Sequence, residues 1–250
     1  MTDDHPSLGS DPSRVVMITG AGRGLGAVIA REQAGPGVVL LLNARTSEEL
    51  EGTAAACRSL GAAVRSIVGD LRQSSHREAL AREVAAKGRL DLLVNNASEL
   101  GPSPRPEMLG FSLDRLRDLY EVNLFAPLAL IQLTAPQLER AGGLVVNISS
   151  DAAVAAYPGW GGYGSSKAAL DLVSRTLAAE WRSAGVSVVS VDPGDLRTRM
   201  HQDAFPGEDI SDRPLPEVTL PFWAWLFGQT PRRLSGQRFR AQSQEWEAAA

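Results

Sequence analysis

VVMITGAGRGLG, residues 15–26, decides the fold. Val15, Val16, Met17, Ile18 and Thr19 read as a short buried strand, and GAGRGLG as a glycine-rich turn leading into the helix-forming AVIAREQA. Gly20, Gly22, Gly24 and Gly26 let the backbone take positive φ and approach a ligand closely, while the helix that follows aims its first amides at the same place. Strand, turn and helix together make a pyrophosphate cradle. Its spacing fits two patterns: Gly22, Gly24 and Ala27 match G-x-G-x-x-A, whereas Thr19, Gly20, Gly24 and Gly26 match T-G-x-x-x-G-x-G. Arg23 and Leu25 fill the spaces between.

Working outward, VVLLLNAR (38–45), AVRSIVGD (63–70), DLLVNNA (91–97), GGLVVNIS (142–149) and VSVVSVD (186–192) are apolar runs of strand length, as expected for parallel strands covered on both faces. Helical stretches separate them: 47–60 with Ser47 as cap, 74–87, a long one over 113–138 bent at Pro127, and 163–183 with a stripe of Leu170, Val173, Leu177 and Trp181. This alternation predicts an α/β, doubly wound sheet of about seven mainly parallel strands flanked by helices, in one domain over 14–250 after a polar tail over 1–13. Residues 193–227, rich in proline and charge, are expected to form a substrate-binding lid. Within them PFWAWLF suits a pocket wall, a subunit interface or core; SGQRFR reads as a last short strand and EWEAAA as surface.

The 250 residues fit one domain. A net charge of −4 supplies no basic field for nucleic acid. Cys57 stands alone, so neither an internal disulfide nor a CxxC metal site is expected, and it reads as a packed residue. The acidic start lacks the basic and apolar regions of a signal peptide, and no apolar run approaches the ~20 residues of a membrane span. A cytoplasmic enzyme with no membrane partner is the expectation.

Two features carry chemistry. At the end of the second strand, Asn43, Ala44 and Arg45 include no carboxylate to hold an adenosine ribose; Arg45, joined by Arg23, suits a 2′-phosphate, which favours NADP(H) while leaving NAD(H) open. Farther on, DAAVAAYPGWGGYGSSK (151–167) follows the strand end at Ser150, and in a helix Tyr163 and Lys167 lie one above the other at i and i+4. A phenol with an ordinary pKa of about 10 needs a nearby cation to favour its phenolate, and Lys167 is the candidate. Small and aromatic residues nearby, among them Ala152, Ala155, Tyr157 and Trp160, suggest a roomy, partly apolar substrate site.

TGAGRGLG, NNA at 95–97, Asn123 in YEVNLFAP, the NISS serine, YGSSK and DPG at 192–194 occur in the order seen in the short-chain dehydrogenase/reductases, which the chain resembles over about residues 14–240. The resemblance selects the T-G-x-x-x-G-x-G reading and, by its usual thirteen-residue separation from Tyr163, Ser150 over Ser149. It implies a Rossmann sheet, a nicotinamide cofactor, a small-molecule carbonyl or alcohol substrate, and a homodimer or homotetramer. It also implies a tetrad: Tyr163 as general acid/base, Ser150 on the substrate oxygen, Lys167 lowering the phenol pKa and binding the nicotinamide ribose, and Asn123 holding a relay water. For the cofactor it implies contacts from Asp70 and Leu71 to adenine, from Asn96 and Ala97 beside Tyr163 and Lys167, and from Pro193, Gly194 and Thr198 near the carboxamide, with Asn95 ordering the sheet. The chain departs from the family pattern at Ser98, where glycine is usual in NNAG, and at Asp195 after PG, a carboxylate suited to a polar substrate or to capping a lid helix.

Overall fold

Strand β1 (Arg14–Thr19) is the third strand of a seven-stranded, wholly parallel sheet ordered β3-β2-β1-β4-β5-β6-β7. The other strands are β2 (Val38–Ala44), β3 (Ala63–Val68), β4 (Leu92–Asn95), β5 (Leu144–Ile148), β6 (Ser187–Asp192) and β7 (Arg238–Arg240). The computed structural model describes residues 13–247, so the tail expected over 1–13 lies, apart from Ser13, outside the described residues. From β1 the chain winds outward through β2 to β3, then returns to β4 on the other side of β1. That reversal opens a crevice at the carboxyl ends of β1 and β4, where ligands of open parallel sheets bind.

Apolar side chains alternate between two cores, which is why the strands read as continuous apolar runs. Val16, Ile18, Leu40 and Leu42 face the layer containing helices α1 (Gly24–Glu32) and α2 (Ser47–Ser59). Val15, Met17, Val39 and Leu41 face α3 (Ser74–Lys87), α5 (Ala126–Ala141) and α6 (Gly161–Glu180). Cys57 is wholly buried in the first core and burial pushes its thiol pKa up, as befits a packed residue.

The long helix expected over 113–138 is instead α4 (Leu113–Tyr120), a π turn (Glu121–Phe125) and α5. The break is the π turn, which ends two residues before Pro127 of α5. Helix α2 begins at Ser47, but Thr46 holds the cap position and no side chain caps the helix. On α6 the buried face runs through Tyr163, Lys167, Leu170, Asp171, Ser174 and Ala178; of the expected stripe of Leu170, Val173, Leu177 and Trp181, Leu170 is fully buried and Leu177 and Trp181 pack at the edge of the core. Polar residues occupy that face because each meets a partner: Ser174 Oγ, for example, accepts from Asn147 Nδ2 at 2.8 Å.

After β6 come α7 (Arg199–Ala204), α8 (Leu220–Gly228) and α9 (Pro231–Leu234). Only the first part of the 193–227 segment, as far as Glu217, faces the crevice. PFWAWLF forms most of α8 and is core: Phe222 and Trp223 are fully buried, and Trp223 Nε1 donates to Thr219 Oγ1 at 2.8 Å. Trp246, expected at the surface, packs its ring 5.4 Å from Phe222.

Candidate active site

The crevice is a single cleft of about 1020 Å³ that runs from the glycine turn to Tyr163 and Lys167. At its first end Thr19 Oγ1 accepts from the backbone amides of Asn96 and Ala97, at 3.0 and 3.1 Å. Asn96 Nδ2 in turn donates to the carbonyls of Thr19 and Gly20, both at 3.0 Å, so β4 holds the turn in place. Gly20 adopts φ +65°, and a Cβ on Gly26 would stand 2.3 Å from the Gly20 carbonyl oxygen; the helix can start against the turn only because both lack side chains. Arg23 at the N-cap of α1 provides no side-chain cap, so the first amides of this helix are left for an anion.

At the ends of β2 and β3 the cleft is lined by Ala44, Arg45, Asp70 and Leu71. Both arginines expected to meet a phosphate are paired internally. Arg23 bonds Glu49 at 2.8 Å, and Arg45 bonds Glu99 at 2.6 Å. Arg72 bridges Asp70 and Glu99; burial works against the Asp70 carboxylate, but the Arg72 amide and guanidinium outweigh it and hold its pKa below the usual range. Glu99 and Arg72 were not evident as site residues in the sequence, since neither belongs to a motif.

At the deep end, Ser150 Oγ donates to Asp151 Oδ1 at 3.0 Å and accepts the Ala152 amide at 3.2 Å. Lys167 is almost completely buried, its Nζ 2.8 Å from the Ile148 carbonyl and 5.6 Å from the centre of the Tyr163 ring. Burial lowers its pKa to about 8, opposed by Asp171. Burial likewise pushes the Tyr163 phenol up to about 12, against the pull of the Ser150 and Ser98 hydroxyls that face it. Removal of water from the phenolate dominates this shift. The structure brings Ser150, Tyr163 and Lys167 to one end of the cleft, and Asn123, in the π turn, lies fully buried behind its wall, tied to Ser98, Glu99 and Ser166.

Beneath them lies a buried charge cluster of which only Asp192 belongs to a sequence motif. Arg238 of β7 donates to Asp171 at 3.0 Å, to Asp192 at 3.2 Å and to the Ser150 carbonyl at 2.7 Å. Asn95 Nδ2 donates to Asn147 Oδ1 at 2.8 Å, joining β4 to β5 as expected of a sheet-ordering amide.

Pro193, Gly194 and Thr198 line the cleft. Gln242 Nε2 holds the Pro193 and Asp195 carbonyls at 2.9 and 3.0 Å. Thr198, not Asp195, caps α7, its Oγ1 accepting from the His201 amide at 3.2 Å; Asp195 lies 3.6 Å from Arg213. At the outer wall Arg105 sits 4.1 Å over the Trp160 ring and 5.1 Å over Phe205, while Trp160 packs edge-on against Tyr163 at 5.9 Å. Among the described residues no helix is long and apolar enough to cross a membrane.

A family profile for short chain dehydrogenases matches residues 14–209. An uncharacterized oxidoreductase, YciK of Escherichia coli (strain K12), is 31% identical over 92% of this chain and 92% of its own length. A solved short chain dehydrogenase from Pseudomonas syringae superimposes with a TM-score of 0.86 at 32% identity, covering 95% of this chain and 97% of that one. Another, from Shigella flexneri 2a and complexed with NADP, has a TM-score of 0.83 at 28% identity, covering 94% and 100%. A match spanning the glycine turn, the tetrad positions and the start of the cleft-facing segment places the chain in the short-chain dehydrogenase/reductase family of oxidoreductases.

Proposed function

We propose that this protein is an NADP(H)-dependent carbonyl reductase with Tyr163 as its general acid. The observation that carries this reading is the buried phenol of Tyr163 beside Ser150 and Lys167, at the opposite end of one cleft from an uncapped helix N-terminus. The cleft fits a dinucleotide. Its glycine turn and the free amides of α1 suit a pyrophosphate, Asp70 and Leu71 the adenine, Arg45 and Arg23 a 2′-phosphate, and Lys167 and Thr198 the nicotinamide end. Bound there in reduced form, the cofactor supplies a hydride.

The residues do the rest. Ser150 turns its hydroxyl from Asp151 to the substrate carbonyl oxygen and hydrogen-bonds the charge that develops on it. Tyr163 gives its proton to the same oxygen. A phenol pushed up to about 12 stays protonated at neutral pH, so the proton is present when reduction needs it, which favours the reducing direction. Lys167, anchored on the Ile148 carbonyl, places positive charge below the resulting phenolate. Trp160 closes one side of Tyr163 against water.

A second reading, an NAD(H)-dependent alcohol dehydrogenase, is favoured by the occupation of Arg45 by Glu99. Steady-state rates with NADPH and NADH over a panel of ketones, aldehydes and secondary alcohols test both. Turnover surviving in Tyr163→Phe would sink the acid assignment, and tight dinucleotide binding without hydride transfer to any substrate would mark a nucleotide-sensing protein instead.

A further inference from the structure

The parallel ladder between β5 and β6 advances two residues at a time. Its rungs include the Ser187 amide on the Gly143 carbonyl, at 2.9 Å, and the Ser149 amide on the Val191 carbonyl, at 2.7 Å. The next rung would bring an amide proton from residue 193 to the Ser149 carbonyl. That residue is Pro193, which has none, so the ladder stops one residue short of Ser150. The neighbouring strand therefore does not hold the backbone that carries the Ser150 hydroxyl.

Arg238 takes over where the ladder ends. From β7 its Nη2 reaches past β6 to the Ser150 carbonyl, at 2.7 Å, and the Ala153 amide fills the other lone pair of that oxygen at 3.1 Å. The guanidinium is itself fixed on two buried carboxylates: Nε donates to Asp171 Oδ2 at 3.0 Å and Nη2 to Asp192 Oδ2 at 3.2 Å. A planar fork can meet three acceptors lying in different directions, which an ammonium on a flexible stem cannot do as rigidly. Asp171 stands one turn after Lys167 on α6, and Asp192 Oδ1 accepts the Gly194 amide at 3.0 Å in the turn that lines the cleft. One side chain thus ties together Ser150, the helix of Tyr163 and Lys167, and the turn at Pro193 and Gly194.

Building on the role of Ser150 proposed above, we propose that Arg238 is a positioning residue: by holding the Ser150 carbonyl it fixes the backbone from which the Ser150 hydroxyl meets the substrate oxygen. Arg238 is not among the residues that line the cleft, so it acts through the groups it holds and not on the substrate.

The test starts with Arg238→Lys, which keeps a positive charge between the two carboxylates and gives up the fork. The Ala152 amide donates to Ser150 Oγ at 3.2 Å and so reports that hydroxyl in nitrogen-15 NMR spectra of the protein without substrate, while the Ser149 amide reports the ladder. In Arg238→Lys the Ala152 resonance should move toward its position in Ser150→Ala, and the Ser149 resonance should stay. Where the lysine variant does not fold, Arg238→Met combined with Asp171→Asn and Asp192→Asn removes the buried charges together, keeps an oxygen for the Gly194 amide, and should shift Ala152 in the same way. In turnover, Arg238→Lys should lower kcat about tenfold, less than the roughly 10²–10³ that loss of an oxyanion donor costs, with NADPH affinity nearly unchanged. In a Ser150→Ala background the same substitution should change kcat by less than about twofold, because a residue acting through Ser150 has nothing left to position. The proposal is overturned by an Ala152 resonance that stays put in the folded variants, by a shift shared equally with Ser149, or by a kcat loss that carries over undiminished into Ser150→Ala. The NMR arm uses no substrate, so it remains decisive even where Tyr163→Phe or the substrate panel defeats the reductase reading.

Discussion

Arg45 Nη1 and Glu99 Oε1 meet at 2.6 Å, an ion pair that joins the end of β2 to the segment after β4. On the proposed assignment Arg45 meets a 2′-phosphate, and any such phosphate has to compete with Glu99 for it. Exposed pairs of this kind contribute about 0.2–1 kcal/mol. Glu99→Gln should therefore tighten NADPH binding roughly two- to fivefold while leaving NADH nearly unchanged, and Arg45→Ala should erase the difference. Fluorescence titration of both nucleotides reads this directly; equal effects on NADPH and NADH would show that Glu99 does not guard the phosphate site.

Tyr163→Phe removes the proton donor and keeps the ring that Trp160 packs against. Turnover should fall by about two to four orders of magnitude, the usual contribution of a positioned acid. Nucleotide affinity should change less than threefold by the same titration.

Buried Lys167 makes stability depend on pH in an unusual sense. Its pKa falls from 10.5 to about 8 on folding, so between those values the unfolded chain binds more protons and stability rises with pH. Tyr163 acts in the opposite sense. Its phenol rises from 10.0 to about 12, so above pH 10 the native state binds more protons and stability falls. Urea unfolding at steps between pH 8 and 10 should show a rising free energy of unfolding that Lys167→Met flattens. The slope persisting in that variant would place its origin elsewhere.

Arg238→Met should destabilise the protein by about 3–5 kcal/mol, because it strands two buried carboxylates, Asp171 and Asp192. The triple variant Arg238→Met, Asp171→Leu, Asp192→Leu should recover much of that loss, as measured by denaturant midpoints. If the triple variant is no better than the single one, the carboxylates are not the source of the penalty.

The sheet was legible in the sequence because its signals are local: apolar runs of strand length, the glycine turn, and helices closed by glycine. Ser150, Tyr163 and Lys167 were legible because helical spacing and a strand end place them together. Arg238 was not, since its partners lie 67 and 46 positions away and only the sheet order brings β7 beside β6. The π turn escaped notice because a single widened turn leaves the apolar spacing around Leu119, Val122, Ala126 and Leu130 almost unchanged. Glu99 was missed for a related reason: a carboxylate in a loop gains meaning only when Arg45 and Arg72 arrive from other elements. The burial that dominates the Tyr163 phenol was not legible either, because a helical spacing gives the distance to Lys167 but not the dryness of the place where both reside.

Arg238 also sets an order of events during synthesis. The glycine turn, Asn123, Ser150 and Tyr163 all leave the ribosome well before it, yet Asp171, Asp192 and the Ser150 carbonyl lack their guanidinium until β7 emerges. A nascent chain that has made every residue of the tetrad therefore still lacks the guanidinium that both carboxylates share in the finished fold.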